Sequence, residues 1–398
     1  MVAIDRNEPL TAIEPILLAE GSRYRAELAD LALEVGMKAA AFRASLPVGV
    51  RTALAQLVRA MNSYYSNLIE GHDTHPVEIE RALAGDYSAD PEKRNLQLEA
   101  RAHVAVQRWI DDGGLAGGKA TTRDGLCEIH RRFCAKLPDE LLWVQMPGRA
   151  ERLRVEPGEL RNRDVQVGRH LAVSPGAVPR FLTHFEQILS RQGRSGLVLA
   201  AAAAHHRLLW IHPFLDGNGR VARLMSHALF IDALDTGGVW SISRGLARRA
   251  NAYKAQLAAA DAPRDSDLDG RGALSERALA DFTRFFLETA LDQIIFMEGL
   301  VEPVRLQARL RLWAEEEARL GQLPAKAGLL LDAVLYRGEL PRGDVDGILG
   351  TGERQARRIV AGLIERGVLV AESSRAPLNL AFPATLASRW MPGLFPEA

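Results

Sequence analysis

Two strongly apolar stretches of helical length, 197–211 and 219–234, are joined by the segment His212-Pro213-Phe214-Leu215-Asp216-Gly217-Asn218-Gly219-Arg220. No other feature of the chain constrains its fold as much. Proline at 213 disfavours helical geometry at His212, so the first helix ends there. Helical character resumes at Val221-Ala222-Arg223-Leu224-Met225. Helices this apolar must be covered on several sides, which calls for a helical core built around them. The rest of the chain supplies the cover. Apolar residues recur at spacings of three and four over 24–42, 51–69, 95–110, 126–137, 177–190, 282–297 and 303–320. Pro47, Pro91, Pro138, Pro147, Pro157 and Pro175 punctuate these stretches. The expected class is all-α.

Two regions depart from that pattern. Residues 144–173 hold Pro147-Gly148, Pro157-Gly158 and the short alternation Val165-Gln166-Val167-Gly168, which read as a small β-hairpin flap. Extended chain with a free edge can align a target peptide by strand addition. Beyond 320, three short helical patterns (325–336, 342–349 and 353–366) precede two extended runs, Val368-Leu369-Val370 and Leu378-Asn379-Leu380. Three helices and a two-stranded wing make a winged helix-turn-helix, with Thr351 as a candidate cap of its third helix. Arg354, Arg357 and Arg358 lie on that helix, where a recognition helix contacts DNA. The expected domains are 1–110, an N-terminal helical region; 111–300, a catalytic core; and 301–398, a linker helix and the winged module.

The joining segment carries the chemistry. A helix N-terminus presents unpaired backbone N–H groups and a partial positive charge, which together favour anions. Gly217 and Gly219 permit close approach of that backbone to a ligand. Arg220 and Arg223, three residues apart, offer two guanidinium forks to a polyphosphate. Asp216 would repel phosphates unless a divalent cation lay between, and Mg²⁺ binds through one carboxylate plus substrate phosphates. His212 is the nearby side chain suited to accept a proton near neutral pH. His205-His206 suggests a metal site with His212, but adjacent helical residues point apart and no tetrahedral set is evident.

Residues 212–223 match every specified position of the pattern His-x-Phe-x-(Asp/Glu)-Gly-Asn-Gly-Arg-x-x-Arg, and in this the chain resembles the Fic family. The resemblance implies a helical Fic core and transfer of AMP from ATP to a hydroxyl of a target protein, with release of pyrophosphate. It implies that His212 deprotonates the hydroxyl and that Asp216 holds Mg²⁺. Gly217, Asn218 and Gly219 would cradle the α- and β-phosphates, Arg220 would contact phosphates, and Arg223 would reach the γ-phosphate. Gly219 favours AMP transfer over the phosphate-transferring branch, which has Lys there. Motif alone leaves other pyrophosphate-linked donors open.

Ser66-Asn67-Leu68-Ile69-Glu70-Gly71 reads physically as a helix ending at a glycine, with Ser66 and Glu70 four apart on one face. It also resembles the Ser/Thr-x-x-x-Glu-Gly/Asn inhibitory motif of many Fic proteins. By that resemblance, Glu70 pairs with Arg223 and blocks productive seating of the γ-phosphate. Arg161, Val165, Gln166, Val167 and Gly168 fall where Fic proteins carry a target-positioning flap, and many Fic proteins carry a C-terminal winged helix.

Composition sets the remaining bounds. Lys+Arg and Asp+Glu are 50 each, so no basic coat marks a dedicated nucleic-acid binder, and Glu353 and Glu365 dilute the charge of the third helix. Cys127 and Cys134 read as free thiols on one helix. No signal peptide is evident and residues 196–204 are too few to span a bilayer, so a cytoplasmic protein without membrane contact is expected. The leading expectation is a self-inhibited, Mg²⁺–ATP-dependent protein AMP transferase acting on a Ser, Thr or Tyr hydroxyl, or on itself, with a homodimer left open. The alternatives are a DNA-binding regulator whose Fic domain senses nucleotide, and an AMP-removing hydrolase that uses Glu70.

Overall fold

The computed structural model describes residues 3–145 and 152–396. Its helices are α1 (Arg25–Ser45), α2 (Val48–Ile69), α3 (Pro76–Leu83), α4 (Pro91–Asp111), α5 (Arg123–Cys134), α6 (Val178–Leu189), α7 (Arg194–Ile211), α8 (Asn218–Leu234), α9 (Ser243–Arg248), α10 (Ala250–Ala260), α11 (Glu276–Leu300), α12 (Pro303–Arg319), α13 (Ala327–Arg337), α14 (Val345–Leu349), α15 (Glu353–Glu365) and α16 (Ala387–Trp390). Its strands are β1 (Trp143–Gln145), β2 (Arg152–Arg154), β3 (Gln166–Val167), β4 (His170–Leu171), β5 (Glu339–Leu340), β6 (Leu369–Val370) and β7 (Leu378–Leu380). The protein is mostly helical.

The chain divides into two compact units. The first comprises Met1–Ala40, Asn62–Thr236 and Ser241–Gln293; the second comprises Ala41–Met61, Gly237–Trp240 and Ile294–Ala398. In the first, α7 and α8 pack on each other more extensively than any other pair of elements. The alanine run 200–204 is buried throughout, so α7 is enclosed on every side rather than along one stripe. Phe230, Phe282 and Phe286 gather beside His205. In the second, α13, α14 and α15 lie with a three-stranded antiparallel sheet ordered β5-β7-β6. Ala356, Ile359, Val360 and Leu363 form the buried face of α15, and Trp313 meets Trp390 edge to face at 5.1 Å.

Local chemistry explains the element ends that frame the site. α4 starts where Asp90 accepts from the Glu92 N–H and Pro91 takes the first helical position. Thr122 caps α5 through the Gly125 N–H. α7 stops at His212, which adopts the left-handed conformation with φ 51°, and α8 begins after Gly217 with φ 79°.

The structure also corrects the sequence reading in places. Thr351 does not cap α15: Gly352 holds the N-cap position, and the buried Thr351 hydroxyl has no hydrogen-bond partner among the described residues. Helices α3, α9, α10 and α16 went unpredicted, being short and lacking long apolar periodicity. Of the expected extended region, β1 pairs antiparallel with β2 and β3 with β4, while 155–165 is turn and irregular chain. Pro147 and Gly148 lie outside the described residues.

Candidate active site

The segment between α7 and α8 is held from inside. Phe214 is fully buried and stacks on His130 of α5, ring centroids 4.0 Å apart. His130 also accepts the Gly158 N–H at 2.9 Å and approaches Cys134 Sγ at 3.3 Å. Burial pushes its imidazole down to about 4, leaving it neutral. Asn218 bridges the loop: its Oδ1 accepts from the Phe214 N–H and its Nδ2 donates to the Phe214 carbonyl, both at 2.9 Å. The Asn218 side chain therefore braces the loop. The N–H groups of 218–220 have no intrahelical acceptor, as at any helix start.

His212 is half-buried, and its Nδ1 lies 3.3 Å from the Leu209 carbonyl. In the tautomer that donates there, Nε2 carries the free lone pair. Burial pushes the ring down to about 4; the Leu209 carbonyl opposes this, and Arg161 and His170 add to it. The imidazole is thus neutral near pH 7, the form a base requires.

The two arginines have different partners. Arg223, 3% exposed, donates from Nε to Ser66 Oγ at 2.8 Å and from Nη2 to Glu70 Oε1 at 2.5 Å. Glu70 sits in the turn just beyond α2, closed at Gly71 with φ 90°. Burial disfavours its charge, but Arg223 and Arg220 outweigh that and hold the carboxyl below the usual range. A Cβ at Gly219 would collide with Glu70 Oε1 and lie 3.1 Å from Arg223 Nη1. Arg220 is ion-paired with the buried Glu99 of α4 and lies 5.3 Å above the Phe133 ring. The second Glu99 oxygen meets His72 Nδ1 at 2.7 Å, and this raises the His72 pKa against the effect of burial. Asp216 is exposed, and its carboxylate has no ion pair or hydrogen bond among the described residues.

His212, Gly219, Arg223 and Glu70 open into one cleft of about 1120 Å³. Its other walls are Val167–Leu171, Leu209, Trp210 and, from α10, Tyr253, Lys254 and Leu257. Gln166, Val167 and Gly168 are exposed, and Val165 is half-buried. Arg161 is only 4% exposed, and its guanidinium turns inward onto backbone carbonyls. Unlike its flap neighbours Gln166, Val167 and Gly168, its side chain is therefore engaged inside the fold. His205 is a satisfied core residue, bonded to Ser226 Oγ at 2.8 Å and Tyr253 OH at 2.7 Å, and His206 meets Asp261. Among the described residues no group of three or more His, Cys, Asp or Glu could hold a metal ion. Glu99, His72, His130 and Tyr253 escaped the sequence reading because packing alone brings them to the loop.

Residues 120–230 match the Fic/DOC family, so the chain carries a Fic domain. It is 42% identical over 172 residues to the Protein adenylyltransferase Fic of Drosophila persimilis, covering 43% of this chain and 31% of that protein. The counterpart from Drosophila virilis gives 42% over 172 residues, with 43% and 32% covered. The chain spans about a third of the length of the curated relatives it matches. Among solved structures, a Fic family protein from Desulfovibrio desulfuricans G20 aligns with TM-score 0.50 at 18% identity, over 92% of this chain and 98% of that one. Fic-1 from C. elegans aligns with TM-score 0.50 at 18% identity, over 70% and 74%. These two likenesses concern the fold. No described helix is long and apolar enough to cross a membrane.

Proposed function

We propose that this protein is a self-inhibited AMP transferase acting on a hydroxyl of a target protein, or on itself. The observation that carries the reading is the single cleft shared by a neutral His212, the start of α8, Arg223 and the Glu70 carboxylate. His212 Nε2 takes the proton of the target hydroxyl. The freed oxygen attacks the α-phosphorus of ATP, the bond to the bridging oxygen breaks, and pyrophosphate departs. Backbone N–H groups at Gly217, Asn218 and Gly219 receive the α- and β-phosphates. Arg220 supports them, and Arg223 serves the γ-phosphate once Glu70 leaves it. Asp216, unpaired and exposed, suits Mg²⁺, which would offset phosphate charge when bound. Until then Glu70 holds Arg223, whose guanidinium is buried while the Glu70 carboxylate stays a third exposed.

The paired strands β3 and β4 act as the flap that aligns the target along the cleft, through Val165, Gln166, Val167 and Gly168. The helices α13–α15 with sheet β5-β7-β6 form a winged helix-turn-helix. On α15, Arg354, Arg357 and Arg358 are exposed, but Arg357 is paired with Glu353, which favours a protein-interaction role over DNA. Salt-dependent retention on DNA would support the regulator reading instead. Glu70, ionised and a third exposed in the cleft, also suits water activation, so AMP removal is the second reading.

Purified protein, Glu70→Gly and His212→Ala are incubated with Mg²⁺ and ATP labelled at the α- or γ-phosphate. Label from the α-position, raised in Glu70→Gly and absent in His212→Ala, is expected. Label from the γ-position would mean phosphate transfer. Release of AMP from a modified protein without ATP, lost with Glu70, would favour the hydrolase.

A further inference from the structure

We propose that Arg161 is a positioning residue for the base: its guanidinium fixes the backbone turn that presents His212, and its charge keeps the imidazole free to accept a proton. This inference rests on the reading of His212 as the base of AMP transfer.

The contacts are unusually complete. Arg161 Nε donates to the His212 carbonyl at 2.7 Å, Nη1 to the Arg163 carbonyl at 2.9 Å, and Nη2 to the carbonyls of Val173 at 2.5 Å and Ile211 at 3.4 Å. Its own backbone N–H donates to the Pro213 carbonyl at 2.9 Å. The side chain thus grips both residues at the end of α7 and both arms of the chain that leads into and out of β3 and β4. The last carbonyls of a helix lack intrahelical donors and carry partial negative charge, so a cation there is favourable. His212 holds φ 51°, a conformation that non-glycine residues rarely adopt, and the bond to its carbonyl secures it. Only a planar fork of several N–H groups reaches carbonyls in these directions at once; a lysine ammonium does not.

The charge argument is separate. All the side-chain hydrogen bonds that the structure gives Arg161 end on backbone carbonyls, and Asp164, the nearest flap carboxylate in sequence, is paired with Arg6. A buried guanidinium without a bonded carboxylate therefore sits on the His212 carbonyl, and after burial itself its charge adds to what disfavours protonation of the ring. The other groups bearing on that ring are His170 of β4, which acts in the same direction, and Glu70 beyond α2, which acts against it. Further along the cleft lie Arg169, His206, Arg223, Lys254 and Asp261.

The test combines activity with a readout that needs none. Arg161→Gln and Arg161→Lys are made with and without Glu70→Gly. The His212 ring is titrated by NMR in histidine-labelled protein, its signal identified by its loss in His212→Ala. In Arg161→Gln the His212 pKa is expected to rise. The acid limb of the pH–rate profile should move up with it, and kcat should fall about tenfold or more while KM for ATP stays within about twofold. Arg161→Lys should keep the pKa but not kcat, since it keeps charge and loses the fork. An unmoved His212 pKa in Arg161→Gln, or kcat and KM damaged alike, would overturn the proposal. So would failure of both variants to fold, which would make Arg161 a structural brace alone. If Glu70→Gly with intact Arg161 transfers no AMP, the functional reading fails instead, and the titration still decides the electrostatic half.

Discussion

Glu99 illustrates what one buried carboxylate does at this site. It is 3% exposed on α4, it pairs with Arg220, and its second oxygen is engaged by His72. Arg220 is itself 7% exposed, and its buried Nε has no hydrogen-bond partner among the described residues. Removing Glu99 would strand a buried guanidinium, so Glu99→Ala is expected to lower stability by about 3 kcal/mol or more. Urea unfolding at constant m-value measures this. Replacing Arg220 with methionine in the same protein should recover much of the loss, because no unpaired charge then remains. A double variant as unstable as Glu99→Ala would show that the cost comes from packing around Glu99. At this scale the sequence was legible where residues are contiguous. His212 to Arg223 announce themselves by density along twelve residues, whereas Ser66 to Gly71 read physically as an ordinary helix end and stand out only through a resemblance. Glu99 and His72 do neither, because their role exists only once α4 and the end of α2 meet α8.

The paired strands β3 and β4 are two residues each, too short to be stable by their ladder alone, yet their roots are well tied. Arg6 meets both Asp164 oxygens at 3.0 Å, the Glu8 carboxylate accepts from the Ser174 backbone and hydroxyl at 2.8 and 2.7 Å, and Gly176 N–H donates to the Ile4 carbonyl at 2.9 Å. Arg161 ties the same roots to the loop. Disruption confined to β3 and the residue before it should therefore stay local. Replacing Val165-Gln166-Val167 with prolines removes N–H donors from the edge that a target would pair with. Target modification is expected to fall severalfold or more while ATP affinity, read by calorimetry, changes little; equal loss of both would mean misfolding rather than lost alignment. Pro-Gly punctuation and alternation marked 144–173 as departing from helix, but among the described residues the extended chain is confined to the short pairs β1–β2 and β3–β4. The inward turn of Arg161 was not legible, since spacing places a residue on an element without saying what its side chain meets. Likewise α10, which brings Tyr253 and Lys254 to the cleft, has no long apolar repeat to betray it.

Across the whole molecule, titratable groups are unevenly distributed. All ten histidines lie between 72 and 227, inside the first compact unit. Burial pushes His103 and His205 down to about 3 and His130 and His212 to about 4, and it lowers His206 as well. Unfolded, each would take a proton near pH 6.5, while the folded unit refuses it. Between roughly pH 6.5 and 4 the unfolded state therefore binds more protons, and stability falls as pH falls. For fully buried rings such as His103 and His205 the slope approaches about 1.4 kcal/mol per pH unit each. His72 runs the other way: its raised pKa contributes stability that is present at low pH and lost as pH rises through its folded value. One ring of that sign does not offset five of the other. Acidification from about pH 7 to about pH 5 should thus weaken the first unit selectively, before general carboxylate protonation begins. Protease challenge of the intact chain at both pH values, with cut sites mapped by mass, measures it. New cuts within 62–236 and 241–293 at the lower pH, with 294–398 still resistant, are expected. Parallel loss in both units would mean that they unfold as one cooperative block, and that the buried histidines of the first unit set the acid limit of the entire protein.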